Sequence, residues 1–271
     1  MITMAGKSIR KWWALFTLPT FAAFIIGFVA PFIIGVWLSF CDFTTITDAT
    51  FVGASNYQHI WDDGTFLHSL LFTVAFTIVT TIIINILAFA VAYMFTKAMK
   101  GATIFRSVFF MPNLIGGIIL GWIWQIIING ILSTWGKSLT YSAKYGFWGL
   151  VVLVCWQQIG YMMVVYIAGL QSLPTDVLEA GQVDGASPSQ TMFKVIIPLM
   201  MPSITVCTFL TVTNGFKLYD QNLALTAGNP AHQSEMLALN IFNTFYGRVG
   251  FEGVGQAKAV IFFIIVAVIA L

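Results

Sequence analysis

Charged and amide side chains interrupt a long apolar run between residues 198 and 226 of this 271-residue sequence. An ionisable residue in a membrane-spanning helix costs about 2.5–3.5 kcal/mol on insertion scales, so it normally faces a cavity, a pathway or a partner. Lys217 and Asp220 stand three residues apart and could pair on one helix face, or simply neutralise each other near the outer surface. Residues of these types could bind a polar molecule or line the path along which it passes. The polar residues of the run are Asn214, Lys217, Tyr219, Asp220, Gln221 and Asn222.

A second group of residues resembles a nucleotide-binding P-loop, whose glycine-rich backbone cradles phosphates. Five residues separate Gly130 from Gly136-Lys137-Ser138, whereas the motif requires four. The sequence also lacks a His-Glu-x-x-His zinc motif, a nucleophile elbow and a carboxylate pair inside an apolar run. We therefore expect no catalytic residue on this chain.

The three cysteines and three histidines are scattered along the sequence and form no cluster with metal-ligand spacing. They predict neither a disulfide framework nor a metal site. We expect no cofactor to be bound by this chain. These residues are Cys41, Cys155, Cys207, His59, His68 and His232.

The composition is that of a polytopic membrane protein. Apolar residues make up 59% of the sequence and charged residues only 8%, against about 25% charged in a typical soluble domain. A net charge of +2 is too small to indicate a nucleic-acid partner. The surface is suited to membrane lipid.

The apolar runs predict a single all-α domain, residues 1–271, with about six transmembrane helices. The first run is too long for a cleaved signal peptide, and we interpret it as a retained span. A polar segment at residues 174–197 separates two of the runs. The predicted spans are residues 12–40, 66–96, 107–129, 147–173, 198–226 and 254–271.

The distribution of Lys and Arg favours a cytoplasmic N-terminus, because cytoplasmic loops are enriched in these residues. Seven lie on the side of the N-terminus and four on the other side. The first group is Lys7, Arg10, Lys11, Lys97, Lys100, Arg106 and Lys194, and the second is Lys137, Lys144, Arg248 and Lys258.

The 174–197 segment carries the signals of two short helices. Asp176 with Glu179 predicts an N-cap box for the first helix, and Gly185 predicts its end. Ser187 with Gln190, and a proline between them, predicts a second cap box. Small residues at helical spacing give the first helix one face that can approach another surface closely. These residues are Val177, Ala180, Gly181 and Asp184.

The 174–197 segment and the proline that follows it resemble the signature loop of the membrane subunits of ATP-binding-cassette (ABC) importers. The residues that carry the resemblance are Glu179-Ala180-Gly181, then Gly185 after three residues, then Val195-x-Ile197-Pro198 after nine more. The family pattern is Glu-Ala-Ala, three residues, Gly, nine residues, Ile-x-Leu-Pro. Three further segments are similar to the corresponding motifs of the carbohydrate-importer branch of this family. They are Asp184-Gly185-Ala186, Phe51 to Tyr57, and Phe216 to Pro230.

This resemblance implies a type I ABC importer permease fold and the import of a sugar across the bacterial cytoplasmic membrane by alternating access. It implies partners: a second permease, an ATPase dimer that holds ATP and Mg²⁺, and an extracellular sugar-binding protein. It also implies a short cytoplasmic tail beyond Leu271. Residues 259–271 alone would give about 20 Å of helix and residues 254–271 about 27 Å, against a hydrocarbon core of about 30 Å.

The resemblance assigns roles to particular residues. Contact with the ATPase is implied for Glu179, Ala180, Gly181, Asp184 and Gly185. The substrate pathway is implied at Asn214, Lys217, Tyr219 and Asp220. Aromatic rings that could stack on a sugar are Trp122, Tyr161, Trp124, Trp156 and Tyr166, although rings in such positions are more often packing residues or interface anchors.

Two other classes of function stay open at this point. An ion-coupled secondary transporter could use Lys217 and Asp220, although no second, inverted half is evident. A membrane enzyme lacks a catalytic set. The identity of the sugar, and of the permease that pairs with this chain, does not follow from one sequence.

Overall fold

The computed structural model describes residues 2–62, 64–96 and 101–271. The described residues are predominantly α-helical, as predicted, with one minimal two-stranded sheet among them. The helices are α1 (Ile2–Phe24), α2 (Ala30–Leu38), α3 (Ser55–His59), α4 (Thr65–Thr96), α5 (Ala102–Phe110), α6 (Gly117–Ser133), α7 (Ala143–Gln171), α8 (Thr175–Val183), α9 (Pro188–Thr191), α10 (Ile197–Leu199), α11 (Met201–Phe216), α12 (Asp220–Leu225), α13 (Leu237–Gly247) and α14 (Glu252–Ala270).

Short irregular helices join several of these elements. π-helical turns at Ile25–Val29 and Met192–Ile196 connect α1 to α2 and α9 to α10. Short 3₁₀ turns occur at Ile46–Asp48, Met111–Leu114 and Leu139–Tyr141. The chain divides into two compact units, residues 1–63 with 241–264 and residues 64–240 with 265–271.

The first unit contains the antiparallel strands β1 (Cys41–Asp42) and β2 (Thr50–Phe51). The buried amide of Asn56 ties the segment together, because its Nδ2 donates to the carbonyls of Ser39 (3.0 Å) and Cys41 (2.8 Å). The hydroxyl groups of Tyr57 and Ser39 are 2.7 Å apart. The two polar residues that end the Phe51–Tyr57 motif therefore hold the hairpin.

The core of the second unit lies between α4 and α7, with α11 packed against α4. Small residues allow the close approaches. A Cβ atom on Gly215 of α11 would lie 2.7 Å from Thr77 Oγ1 of α4. A Cβ atom on Gly160 of α7 would overlap the backbone carbonyl of Phe109 in α5. Close van der Waals packing along these contacts holds the helices against one another.

Within the described residues, four helices are long and apolar enough to cross a membrane, and the number is six if each of two bent helix pairs is one span. The four are Trp12–Leu38, Thr65–Thr96, Ala143–Gln171 and Glu252–Ala270. They lie where the sequence predicts the first, second, fourth and sixth spans, with ends that differ by a few residues.

The predicted third span, residues 107–129, is not one straight helix. Its two parts, Ala102–Leu114 and Gly117–Ser133, meet at an angle of 100°. The break follows from the local sequence. Pro112 sits in the 3₁₀ turn that ends the first part, and the next residues, Ile115 and Gly116, adopt extended ψ values of 134° and 140°.

The predicted fifth span, residues 198–226, is also broken. The helix Pro188–Leu199 bends by 68° into α11 at Met200, whose φ and ψ are −83° and −3°. Pro202 has no N–H to donate to the carbonyl four residues earlier, and its ring crowds that carbonyl. The bend at the predicted proline pair is therefore confirmed, but the helix ends at Phe216 and not near residue 226.

We predict that Gly160→Ala destabilises the protein, because the added methyl would overlap the Phe109 carbonyl and force α5 away from α7. Overpacking of this kind costs about 1–3 kcal/mol. Gly130→Ala is the matched control, since Gly130 is helical, exposed and has no atom within 4 Å of its Cβ position. Thermal unfolding of the purified protein in detergent should separate the two variants. An equal melting temperature for both would contradict the close packing.

Candidate functional site

The polar residues at the end of α11 lie in a break between two helices. Lys217 is the C-terminal cap of α11, with φ −84° and ψ 2°, and α12 starts at Asp220. The two residues therefore do not share one helix face, and the described ion pairs do not include one between them. The predicted i, i+3 pair is wrong, because the helix ends before it could form.

These residues surround a polar cavity of about 280 Å³. The cavity brings together Asn214, Lys217, Tyr219 and Asp220, four of the residues predicted for the substrate pathway. It carries one positive and one negative side chain together with amide and hydroxyl groups. The complete lining is Gln158, Asn214, Lys217, Leu218, Tyr219, Asp220 and Gln221.

Trp122 and Tyr161 do not line this cavity. The ring of Trp122 is on α6 and is 59% exposed. Tyr161, on α7, packs against the apolar core, with its ring centroid 6.4 Å from that of Phe110. Their assignment to the substrate pathway stays a prediction.

Gln158 is the cavity residue that sequence reasoning missed. Its side chain is buried, and its Oε1 atom has no hydrogen-bond partner among the described residues. A buried carbonyl without a partner costs about 1–3 kcal/mol. The signal was present in the sequence, since Gln157-Gln158 interrupts the apolar run at residues 147–173.

A chain of amide hydrogen bonds fixes the other side of the cavity. Gln221 Nε2 donates to Gln157 Oε1 (2.8 Å), and Gln157 Nε2 donates to the carbonyl of Ile115 (3.3 Å). Gly117 and Gly121 of α6 allow α12 to pack closely, because Cβ atoms there would overlap Gln221 and its neighbours. The break after α11 is thereby held in one position by α6 and α7.

The 174–197 segment lies on the exterior of the second unit. Its first helix, α8, leaves Glu179, Ala180 and Asp184 exposed and Gly181 half-buried with no atom near its Cβ position. Gly185 has φ +74°, a left-handed conformation that favours glycine. The N–H of Ala186 donates to the carbonyl of Gly181 (2.9 Å), as in a Schellman cap. The predicted end of the helix at Gly185 is confirmed.

The second cap box is also confirmed. The N–H of Ser187 donates to Gln190 Oε1 (2.8 Å), and the N–H of Gln190 donates to Ser187 Oγ (3.3 Å). The predicted N-cap at Asp176 is wrong. Helix α8 begins at Thr175, one residue after Pro174, so Asp176 lies inside its first turn.

The lysine of the rejected phosphate motif is engaged elsewhere. Lys137 Nζ donates to the Tyr145 hydroxyl (2.9 Å) and lies 5.7 Å from the ring centroid of Tyr141. The hydrogen bond to Tyr145 raises the pKa of Lys137 above its usual value. Among the described residues no group of three His, Cys, Asp or Glu side chains could hold a metal, and the three cysteines are free and buried.

Comparison with known proteins places the chain in a family. The model of the "binding-protein-dependent transport system inner membrane component" family matches residues 102–271. The chain is 42% identical over 267 residues to a probable starch degradation products transport system permease of Thermoanaerobacterium thermosulfurigenes, covering 96% of this chain and 91% of the relative. It is 28% identical over 275 residues to a multiple sugar-binding transport system permease of Streptococcus mutans, covering 97% and 94%.

The fold is also that of solved transporters. A bacterial alginate ABC transporter in complex with an alginate pentasaccharide-bound periplasmic protein aligns with a TM-score of 0.78 and 17% identity, covering 97% of this chain and 93% of that chain. The predicted type I importer permease fold is confirmed. Family membership likewise confirms that the chain is a transport component rather than an enzyme. The chain belongs to the binding-protein-dependent inner membrane components, the multi-pass permease subunits of ABC importers.

Proposed function

We propose that this permease moves a sugar or oligosaccharide through the polar cavity by alternating access. The observation that carries the proposal is the polar cavity that brings Gln158, Asn214, Lys217 and Asp220 together. Nearly balanced charge with several amide groups suits a neutral molecule rich in hydroxyls. The names of the relatives favour the same substrate class, and starch degradation products are the first sugars to test.

The partners that we propose follow from the family and from the exposed signature loop, residues 174–197. An ATPase dimer, with ATP and Mg²⁺, would contact Glu179, Ala180, Gly181, Asp184 and Gly185. A second permease would complete the pathway, and an extracellular sugar-binding protein would deliver the substrate. The periplasmic protein in the alginate transporter complex supports this last partner.

The proposed orientation places the N-terminus and the signature loop in the cytoplasm. It rests on the excess of Lys and Arg on that side of the predicted topology. Lys97 and Lys100, two of those charges, lie outside the described residues. No finding supports the ion-coupled alternative, which relied on Lys217 and Asp220 as a pair.

We predict that the chain is inactive alone and co-purifies with a second permease and two copies of an ATPase. One bundle offers a single signature loop and an incomplete pathway. The measurement is mass spectrometry of the complex isolated through an affinity tag, followed by uptake of a partial starch hydrolysate into liposomes. Uptake by this chain without the ATPase would contradict the importer assignment.

We predict that Asn214→Leu, Gln158→Leu and Lys217→Met impair uptake while leaving the yield of the complex unchanged. Losing one or two hydrogen bonds to a sugar should raise the KM for uptake by about three- to tenfold. Gln58→Leu, at an exposed position on α3, is the control for Gln158→Leu. Normal uptake by all three cavity variants would mean that the polar cluster is only structural.

We predict that Gly185→Trp abolishes sugar uptake and that Glu179→Ala has a smaller effect. Tryptophan at a φ of +74° strains the backbone and prevents close approach to a partner, while loss of a rim charge costs under about 1 kcal/mol. Gly136→Trp is the matched control, because Gly136 is also exposed, has φ +65° and lies outside the signature loop.

The readout for these variants is sugar-stimulated ATP hydrolysis together with uptake in reconstituted complexes. Gly185→Trp should release the ATPase or leave hydrolysis insensitive to sugar, whereas Gly136→Trp should retain coupling. Normal, sugar-coupled ATP hydrolysis and uptake by the Gly185→Trp transporter would contradict this prediction and show that the signature loop only connects two helices.

A further inference from the structure

The signature loop is bracketed by two helices, α7 before it and α11 after it. One side chain of a third helix, Asn85 of α4, hydrogen-bonds to both of them. Asn85 Oδ1 accepts from the Tyr166 hydroxyl of α7 (2.6 Å), and Asn85 Nδ2 donates to Thr211 Oγ1 of α11 (3.0 Å). A single amide thus joins the two helices that flank the loop.

The orientation of this amide is fixed by its neighbours. The hydroxyl of Thr211 donates to the carbonyl of Cys207 in its own helix (2.9 Å), so toward Asn85 it acts as an acceptor. Asn85 Nδ2 also donates to the carbonyl of Thr81 (2.8 Å), which leaves Oδ1 to accept from Tyr166. Every polar group of the Asn85 side chain therefore has a defined partner.

The contacts are made in an apolar environment. Tyr166 and Thr211 are only 1% and 2% exposed, and the ring of Phe89 meets that of Tyr166 edge-on at 5.5 Å. Because Tyr166 and Thr211 are shielded from solvent, a helix that shifted alone would leave buried polar atoms without partners. The arrangement favours movement of α7 and α11 together.

The position of Asn85 lies between the signature loop and the polar cavity on both helices. On α7, Tyr166 is five residues before the end of the helix at Gln171 and eight residues after Gln158. On α11, Thr211 lies between the bend at Met200 and the cavity residue Asn214. A displacement that travels along either helix passes this amide before it reaches the cavity.

An open surface groove lies on one side of this contact. An apolar groove of about 590 Å³ opens beside Asn85 and Tyr166, and its lining includes Met192 and Ile197 at the end of the signature loop. Met192 begins the π turn Met192–Ile196, and π turns in α-helices frequently mark functional sites. The same turn also reaches the core, because Ile196 is buried in it and Met192 packs against it, so a displacement of the turn is passed to packed side chains.

We propose that Asn85 is a positioning residue for coupling, which makes α7 and α11 respond as one body when the ATPase moves the signature loop. The inference rests on the proposed function of this chain as a sugar permease. It assigns Asn85, Tyr166 and Thr211 no contact with the sugar. Their role is to transmit one displacement to Gln158 and Asn214.

The test uses the complete transporter, isolated through an affinity tag on this chain and reconstituted in liposomes with a partial starch hydrolysate. Tyr166→Phe and Thr211→Val each remove one hydrogen bond to Asn85 with little change in shape. We expect each to lower the sugar imported per ATP hydrolysed by about three- to tenfold, in the range that single residues change coupling, while ATP hydrolysis persists. The double variant Tyr166→Phe with Thr211→Val should lower the sugar imported per ATP more than either single variant does. Adding Asn85→Leu to that double variant should lower this ratio no further.

Thr80→Val is the matched control for Thr211→Val. Thr80 is equally buried on α4, and its hydroxyl donates to the carbonyl of Phe76 in its own helix (2.8 Å). The Thr80→Val variant should leave the amount of sugar imported per ATP hydrolysed unchanged. If Tyr166→Phe and Thr211→Val behave like Thr80→Val, lowering only the melting temperature, the inference is overturned. Absence of sugar-stimulated ATP hydrolysis in the unmodified transporter would instead overturn the proposed function.

Discussion

A bilayer offers no water to backbone N–H and C=O groups, and this constraint shapes the whole chain. Continuous helices satisfy these groups internally, and irregular backbone is tolerated at membrane depth only where protein or a polar cavity surrounds it. The interruption between Phe216 and Asp220 fits this rule, since the Gln157 amide of α7 bonds to Gln221 just after it and the break opens onto a polar cavity. The break between α11 and α12 therefore also forms the site that could hold a polar molecule.

Close packing around that break depends on small residues. Gly117 and Gly121, four residues apart on α6, present a flat face to the short helix α12. Gly215 lets α11 lie against Thr77 of α4. Because side chains at these positions would separate the helices, the cavity owes its shape to residues that contribute no functional group to it.

The sequence predicts well what is decided locally. The Schellman-type end at Gly185 and the cap box of Ser187 with Gln190 involve residues a few positions apart, and both predictions are confirmed. The helical fold and the family follow from long apolar runs and a spaced motif. The N-cap expected at Asp176 failed by a small margin, because α8 begins at Thr175.

What the sequence does not predict depends on helix rotation and on where a helix stops. Lys217 and Asp220 have the spacing of a pair, yet α11 ends before them. Gln158 is polar in an apolar run, but only its position on α7 shows that it faces the cavity rather than a neighbouring helix. Contacts such as Asn85 with Tyr166, 81 residues apart, lie beyond any local pattern.

The caps of the signature loop are closed by hydrogen bonds among its own residues, between Gly181 and Ala186 and between Ser187 and Gln190. Its shape is therefore set before any partner arrives. Association with a rigid surface loses little conformational entropy, whereas a loop that folded on contact would spend part of its binding free energy on becoming ordered. A loop held in this way would pass on a displacement imposed by a partner instead of absorbing it by bending.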